Sequence, residues 1–126
     1  MDCRQRETLL CRGTDVDGAL HRFGGREDIY ISCLGAFLED GSMTDFRAAM
    51  KNGEWKRACT AVHTLKGAAG NMGFVPLMQA AEQVVGLLRA GRAGETGPAV
   101  EALESRYRDI AEGICEFFSA AGGEAL

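Results

Sequence analysis

Apolar residues recur at spacings of three and four along most of the chain, a pattern that predicts amphipathic α-helices. The repeat is clearest in one central stretch, whose apolar positions are separated by 3, 4, 3, 4 and 3 residues: Trp55, Ala58, Val62, Leu65, Ala69 and Met72. No stretch combines sustained two-residue alternation with β-branched enrichment, as strands do. The chain is therefore predicted to be all-α, with these six residues on the core-facing side of their helix.

Cap residues, glycines and prolines set the predicted helix boundaries. Four long or central helices are predicted at 27–40, 54–72, 76–90 and 98–120. A shorter helix, capped by Ser42 or Thr44, is predicted to stop near Asn52-Gly53.

Two further short helices are predicted near the start of the chain, at 4–12 and 16–23, with Asp15 as the N-cap of the second. Several amphipathic helices joined by short connections indicate an antiparallel four-helix bundle with short extra N-terminal helices. We expect a single domain over 1–126, with its core at about 15–118.

Composition and net charge limit the classes of protein and of binding partner that fit this chain. With 46% hydrophobic and 25% charged residues, the chain has the makeup of a globular protein rather than a disordered one. Its longest uncharged run, 67–81, is interrupted by glycines and a proline and is too short to span a membrane. The net charge of -4, without a block of five like charges, disfavours nucleic acid and anionic membranes as partners.

Five cysteines are present, an odd number, and no two of them form a C-x-x-C pair. The first residues also lack the apolar segment of a signal peptide, so we expect reduced thiols and a cytoplasmic protein. Cys33 and Cys115 are expected to act as small hydrophobic residues of the core.

One histidine points away from the predicted core. At about 100° per residue, His63 lies roughly 125° from the centre of the central apolar stripe. Gly67 follows one turn later and Gly70 lies nearby, although a glycine inside a helix costs about 1 kcal/mol relative to alanine. A steric reason for Gly67 is that a side chain there would shade the ring, and Lys66 lies within reach of the same region.

An imidazole, which titrates near pH 6.5, is a nucleophile in its neutral form and can accept and pass on a phosphoryl group. Phosphoryl transfer needs positioning and charge stabilisation more than acid–base machinery. His63, Lys66 and the open space beside them could suffice for phosphoryl transfer if a partner supplied Mg²⁺ and carboxylates. A lone surface histidine is more often simply solvated, which is our interpretation of His21, and periodicity alone leaves His63 evenly balanced between the two.

The segment 63–73, His-Thr-Leu-Lys-Gly-Ala-Ala-Gly-Asn-Met-Gly, resembles the signature of the histidine-containing phosphotransfer (HPt) domain. That signature runs H-x-L-K-G, then small residues, then a glycine. The flanking segments are also similar to those of the family: 20–25, 28–30, 37–40 and 53–55. The resemblance covers roughly residues 15 to 118.

This resemblance implies a four-helix bundle that carries phosphate in a multistep two-component phosphorelay. It implies that His63 is the phospho-acceptor through Nε2, that Lys66 stabilises the phosphate and that Gly67 provides access. The implied partners are response-regulator receiver domains and a hybrid sensor histidine kinase. We expect a monomer with no cofactor of its own, with Mg²⁺ supplied by the receiver. Both a free-standing carrier and a segment of a larger hybrid kinase are compatible with the resemblance.

Family members often place a glutamine on the following helix to orient the imidazole. An ungapped count puts that position at Val85 in this chain. Gln79 and Gln83 lie nearby, but neither is assigned the role. The absence of glutamine at this position affects the hydrogen bond that would orient the imidazole. It does not affect His63 as the implied phospho-acceptor.

Three alternatives are weighed against the carrier. The bundle could dock a receiver or sensor kinase without being phosphorylated. It could be an enzyme, but the sequence contains no G-x-x-x-x-G-K-[ST] motif. The glycine-rich segment 91–97 lacks the lysine of that motif and is interpreted as a flexible linker. No ATP site or autokinase activity is therefore expected. It could bind a metal, but Thr60 stands where a Glu-x-x-His pair with His63 would need glutamate.

Overall fold

The computed structural model describes residues 1–124, with side chains described up to residue 120. Seven α-helices make up most of this part of the chain: α1 Cys3–Leu10, α2 Val16–Arg22, α3 Glu27–Glu39, α4 Ser42–Lys51, α5 Trp55–Met72, α6 Val75–Arg89 and α7 Gly97–Glu124. The described residues contain no strand beyond one isolated bridge between Thr14 and Phe74. The predicted all-α class is confirmed.

The helices form a bundle in which α4, α5, α6 and α7 each pack against the next in sequence. Helix α3 packs on α5 and α7, and α1 lies along α7. Two contacts show that α5 and α6 run antiparallel, because Lys66 meets Glu82 while Gly70 lies against Met78. Within the described residues, no helix has the length and apolarity needed to cross a membrane.

The core follows the predicted stripes closely. Five of the six stripe residues of α5 are buried, and so are Leu77, Ala81, Val84 and Leu88 of α6. Trp55 is the exception, because 46% of it is exposed at the first turn of α5. Leu9 of α1 also lies in the core, where none of its surface is exposed.

Two further local predictions are wrong. Neither Ser42 nor Thr44 caps α4, whose N-cap is Gly41; instead, the Asp40 carboxylate accepts a hydrogen bond of 2.7 Å from the Ser42 backbone N–H. Cys115 is exposed rather than buried, because its neighbour Ile114 takes the core-facing position on α7. Cys33 is half-buried and packs against the core, which confirms its prediction in part.

The segment 91–97, expected to be a flexible linker, contains a 3₁₀ turn at Ala93–Glu95. The Arg92 guanidinium donates two hydrogen bonds to the Glu95 carboxylate across this turn. The hydroxyl of Thr96 is satisfied by the Ala93 carbonyl, which lets that threonine be buried. The segment is therefore a compact helix-to-helix connection.

Several contacts fix the C-terminal end of α5. The C-cap of α5 is Gly73, whose backbone lies in the left-handed region at φ +80°. The Gly73 carbonyl accepts a 2.8 Å hydrogen bond from the Asp15 backbone N–H. The buried Tyr30 hydroxyl donates to the Met72 carbonyl at 2.9 Å, and burial raises the pKa of that phenol. Arg22 donates to the Gly70 carbonyl at 2.7 Å. The helix that bears His63 is thus anchored by α2 and α3.

Replacing Gly73 with alanine is expected to destabilise the protein by about 2–4 kcal/mol. A Cβ at this position would lie 2.5 Å from the Asp15 backbone carbonyl oxygen, in addition to the strain of its positive φ. Urea denaturation measures the change in free energy of unfolding. Gly24→Ala is the matched control: φ is +64° there but the space is open, so only about 1 kcal/mol of strain is expected. Equal losses in the two variants would rule out the close approach as a cause.

Candidate functional site

His63 lies in the middle of the 18-residue helix α5, and its side chain is exposed. Its neighbours in sequence, Val62 and Leu65, are both buried. No described residue forms a hydrogen bond or an ion pair with its ring. The imidazole is therefore presented to solvent by a helix whose opposite face is fixed in the core, as the periodicity predicted.

The two glycines that follow His63 have different surroundings. A Cβ at Gly67 would meet no atom within 4 Å, so the space over this turn is open. A Cβ at Gly70 would lie 3.2 Å from the sulfur of Met78, so Gly70 allows α6 to pack closely on α5. Close packing of α6 favours a glycine at position 70, whereas no contact among the described residues calls for a glycine at position 67.

Lys66 extends toward α6, where its ammonium nitrogen lies 3.7 Å from a carboxylate oxygen of Glu82. The Lys66 side chain is 32% exposed and the Glu82 side chain 62% exposed, so this ion pair lies at the surface. Sequence reasoning placed the lysine near His63 but missed its partner. The signal was present, since Glu82 is the only acidic residue within α5 and α6.

The part of α6 nearest the histidine offers no polar group to orient the ring. The register set by the Lys66–Glu82 and Gly70–Met78 contacts puts His63 level with Val85 and Gly86. Val85 is buried in the core and cannot hydrogen-bond to an exposed imidazole. Gly86 is exposed, with nothing within 4 Å of a Cβ built there.

Gly86 is a feature that sequence reasoning missed, although a glycine in a helix interior was the available signal. Gln79 and Gln83 are exposed, and neither donates a hydrogen bond to His63. The surface beside the ring is therefore open on α6 as well as at Gly67.

A surface groove of about 590 Å³ lies between α4 and α5, and two of its lining residues flank His63 in the sequence. Thr60 and Thr64, which flank His63 on α5, line this groove together with Asp45 and Arg57 of one ion pair. The Thr60 hydroxyl donates to the Lys56 carbonyl at 3.1 Å, and the Thr64 hydroxyl donates to the Thr60 carbonyl at 3.0 Å. Both hydroxyls therefore donate within the helix, whereas the ring of His63 has no hydrogen-bond partner among the described residues.

His21, the other histidine, is exposed in the last turn of α2. Arg22 follows it directly and is engaged with the carbonyls of α5, and no lysine lies beside it. The described residues contain no group of three or more His, Cys, Asp or Glu side chains placed to hold a metal ion.

Comparison with known proteins supports a family assignment. A family model, the Hpt domain, matches residues 34–113, a range that includes His63, Lys66, Gly67 and Glu82. Comparison with curated proteins and with solved structures returned no significant match. The family match covers well over half of the chain and agrees with the helical bundle that the structure shows. The chain therefore belongs to the Hpt domain family, whose members are phosphocarrier modules of two-component phosphorelays.

Proposed function

We propose that this protein accepts a phosphoryl group from a receiver-domain aspartate on His63 and passes it to the aspartate of another receiver. One observation carries the proposal: the ring is exposed in mid-helix, with open space at Gly67 one turn away and the Lys66 ammonium three residues on. An incoming phosphoryl group needs this combination of access and positive charge. Family membership supports the general phosphotransfer role.

The transfer step requires only the lone pair of one ring nitrogen, which we take to be Nε2. As the receiver's aspartyl phosphate approaches in line, a bond forms from Nε2 to phosphorus while the bond from phosphorus to the carboxylate oxygen breaks. The carboxylate leaves with the electron pair, and the proton on Nδ1 stays on the ring. The reverse step, with a second receiver aspartate as the attacking group, regenerates the neutral imidazole.

Lys66 and Gly67 have different roles in this proposal. The Lys66 ammonium would stabilise the equatorial oxygens of the phosphoryl group, because charge develops there during transfer. Gly67 would leave the volume that the phosphoryl group and the receiver need. The receiver's own carboxylates would hold Mg²⁺, so this chain would contribute no metal ligand.

The proposed partners are receiver domains and a hybrid sensor histidine kinase that feeds the relay. The chain has no phosphate-binding G-x-x-x-x-G-K-[ST] motif, so we expect no self-phosphorylation from ATP. The alternative is a bundle that docks a receiver or kinase without taking up phosphate. Transfer to His63 distinguishes the two, because a docking module binds but acquires no label.

The test is a two-step transfer assay with purified proteins. A receiver domain carrying radiolabelled aspartyl phosphate is mixed with this protein, and a second receiver is added after the label has moved. We expect label on this protein within the lifetime of the aspartyl phosphate, and its loss when the second receiver is added. A parallel incubation with labelled ATP alone is expected to give none. Receiver binding without any transfer of label would favour the docking alternative.

A further inference from the structure

The lysine assigned to the phosphate is already paired in the unphosphorylated protein. Its ammonium lies 3.7 Å from the Glu82 carboxylate on the neighbouring helix, and both side chains remain accessible to water. A surface pair of this kind is weak, so the ammonium can exchange partners readily. Any role of this pair in phosphoryl transfer rests on the proposed function of His63.

We propose that Glu82 is a positioning residue that acts through Lys66 and competes with the phosphoryl group on His63 for its ammonium. Before uptake, Glu82 holds the lysine ammonium toward α6. After uptake, the phosphoryl oxygens carry more negative charge than the carboxylate does, and they attract the ammonium more strongly. By competing for the ammonium, the carboxylate reduces the positive charge that Lys66 offers to the phosphoryl group, which disfavours the phosphorylated state.

The distribution of charge makes this competition specific to one residue. Helix α5 has no acidic residue, and Glu82 is the only one on α6, so no other carboxylate on these two helices shares the face with His63. On the α4 side of α5, Asp45 and Glu54 are both paired with Arg57. A carrier must release its phosphoryl group as well as accept it, and an opposing carboxylate favours release.

The test places the phosphoryl group chemically, so that it does not depend on a receiver. Phosphoramidate transfers its phosphoryl group to a histidine: the bond from its nitrogen to phosphorus breaks, ammonia leaves and the imidazole forms the new bond to phosphorus. All variants carry His21→Gln, so that His63 is the only acceptor. The phosphohistidine is then titrated by ³¹P NMR, since the midpoint of its ionisation, whether of the phosphoryl group or of the ring, reports the net charge around it.

We expect Glu82→Gln to lower this midpoint by about 0.2–0.7 pH units, because the ammonium is freed and one negative charge is removed. Glu82→Asp, which keeps the charge, is expected to restore most of the wild-type value. Glu112→Gln is the matched control: it removes the same charge from an exposed site on α7 and is expected to leave the midpoint unchanged.

A double-mutant cycle tests whether Glu82 acts through Lys66. In a Lys66→Gln background, Glu82→Gln is expected to shift the midpoint by less than half as much as it does in the presence of the lysine. An undiminished shift would show that the carboxylate acts directly on the phosphoryl group, which overturns the proposed route.

The inference and the proposed function fail in different ways. Equal midpoints for the wild-type residue and Glu82→Gln overturn the inference alone, as does the absence of any label from phosphoramidate on His63. Normal chemical labelling with no transfer from a phosphorylated receiver overturns the proposed function instead, while the titration still reports on Glu82.

Discussion

Replacing His63 with glutamine is expected to abolish phosphoryl uptake while leaving the fold intact. Glutamine is polar and of similar size but has no nucleophilic ring nitrogen, so no covalent intermediate can form. Because the side chain is exposed and forms no hydrogen bond with a described residue, the free energy of unfolding should change by no more than about 0.5 kcal/mol. Transfer of label from a phosphorylated receiver and urea denaturation measure the two effects separately.

The matched control is His21→Gln, which removes the other exposed histidine, on α2. We expect this variant to take up phosphate at the wild-type rate. Binding of the receiver to His63→Gln should persist, since the groove on the α4 side and the open face of α6 are unchanged. If His63→Gln retained uptake, the acceptor would have to be another residue and the assignment would be wrong.

Leucine at position 67 is expected to slow phosphoryl transfer by at least about tenfold. Side chains on a helix lean toward its N-terminus and cover the preceding turn, so a leucine four residues after His63 would lie over the imidazole. Among the described residues, a Cβ at Gly67 meets no atom within 4 Å, so the first atom of the leucine side chain fits without a clash. The loss would therefore come from blocked access rather than from a damaged fold.

The stability of the same variant separates the two causes. Leucine and alanine favour a helix over glycine by up to about 1 kcal/mol, so both Gly67→Leu and Gly67→Ala should be at least as stable as the wild type. Gly67→Ala, which adds one methyl group, should retain most of the transfer rate. A Gly67→Leu variant that is more stable and yet slow would identify access as the reason for the glycine. Full transfer in that variant would refute the steric argument.

The helices and the orientation of the histidine could be predicted from the sequence because both depend on local periodicity. The spacing of Ala58, Val62, Leu65, Ala69 and Met72 defines the buried side of α5, and this alone directs His63 outward. Gly73 and Asp15 mark ends of helices through their own backbone and capping preferences, which act within a few residues.

The features that sequence reasoning missed depend on contacts between helices. Trp55 fits the apolar stripe by its angle but lies at the very start of α5, where 46% of it remains exposed. Gly70 and Gly67 look alike in sequence, and only the position of Met78 on α6 shows that the neighbouring helix packs closely on one of them. The sequence shows that Glu82 is the only acidic residue of α5 and α6, but its pairing with Lys66 depends on the register between the two helices, which no local pattern specifies.

The most direct test of the account is to locate the phosphoryl group after transfer from a receiver. The labelled protein is digested under alkaline conditions, which preserve phosphohistidine, and the modified residue is identified by mass spectrometry. Since the chain contains only His21 and His63, their two peptides provide an internal comparison. The account predicts an acid-labile, base-stable phosphoryl group on His63 and none on His21. A phosphoryl group on His21 or on any other residue, with His63 unmodified, would contradict it.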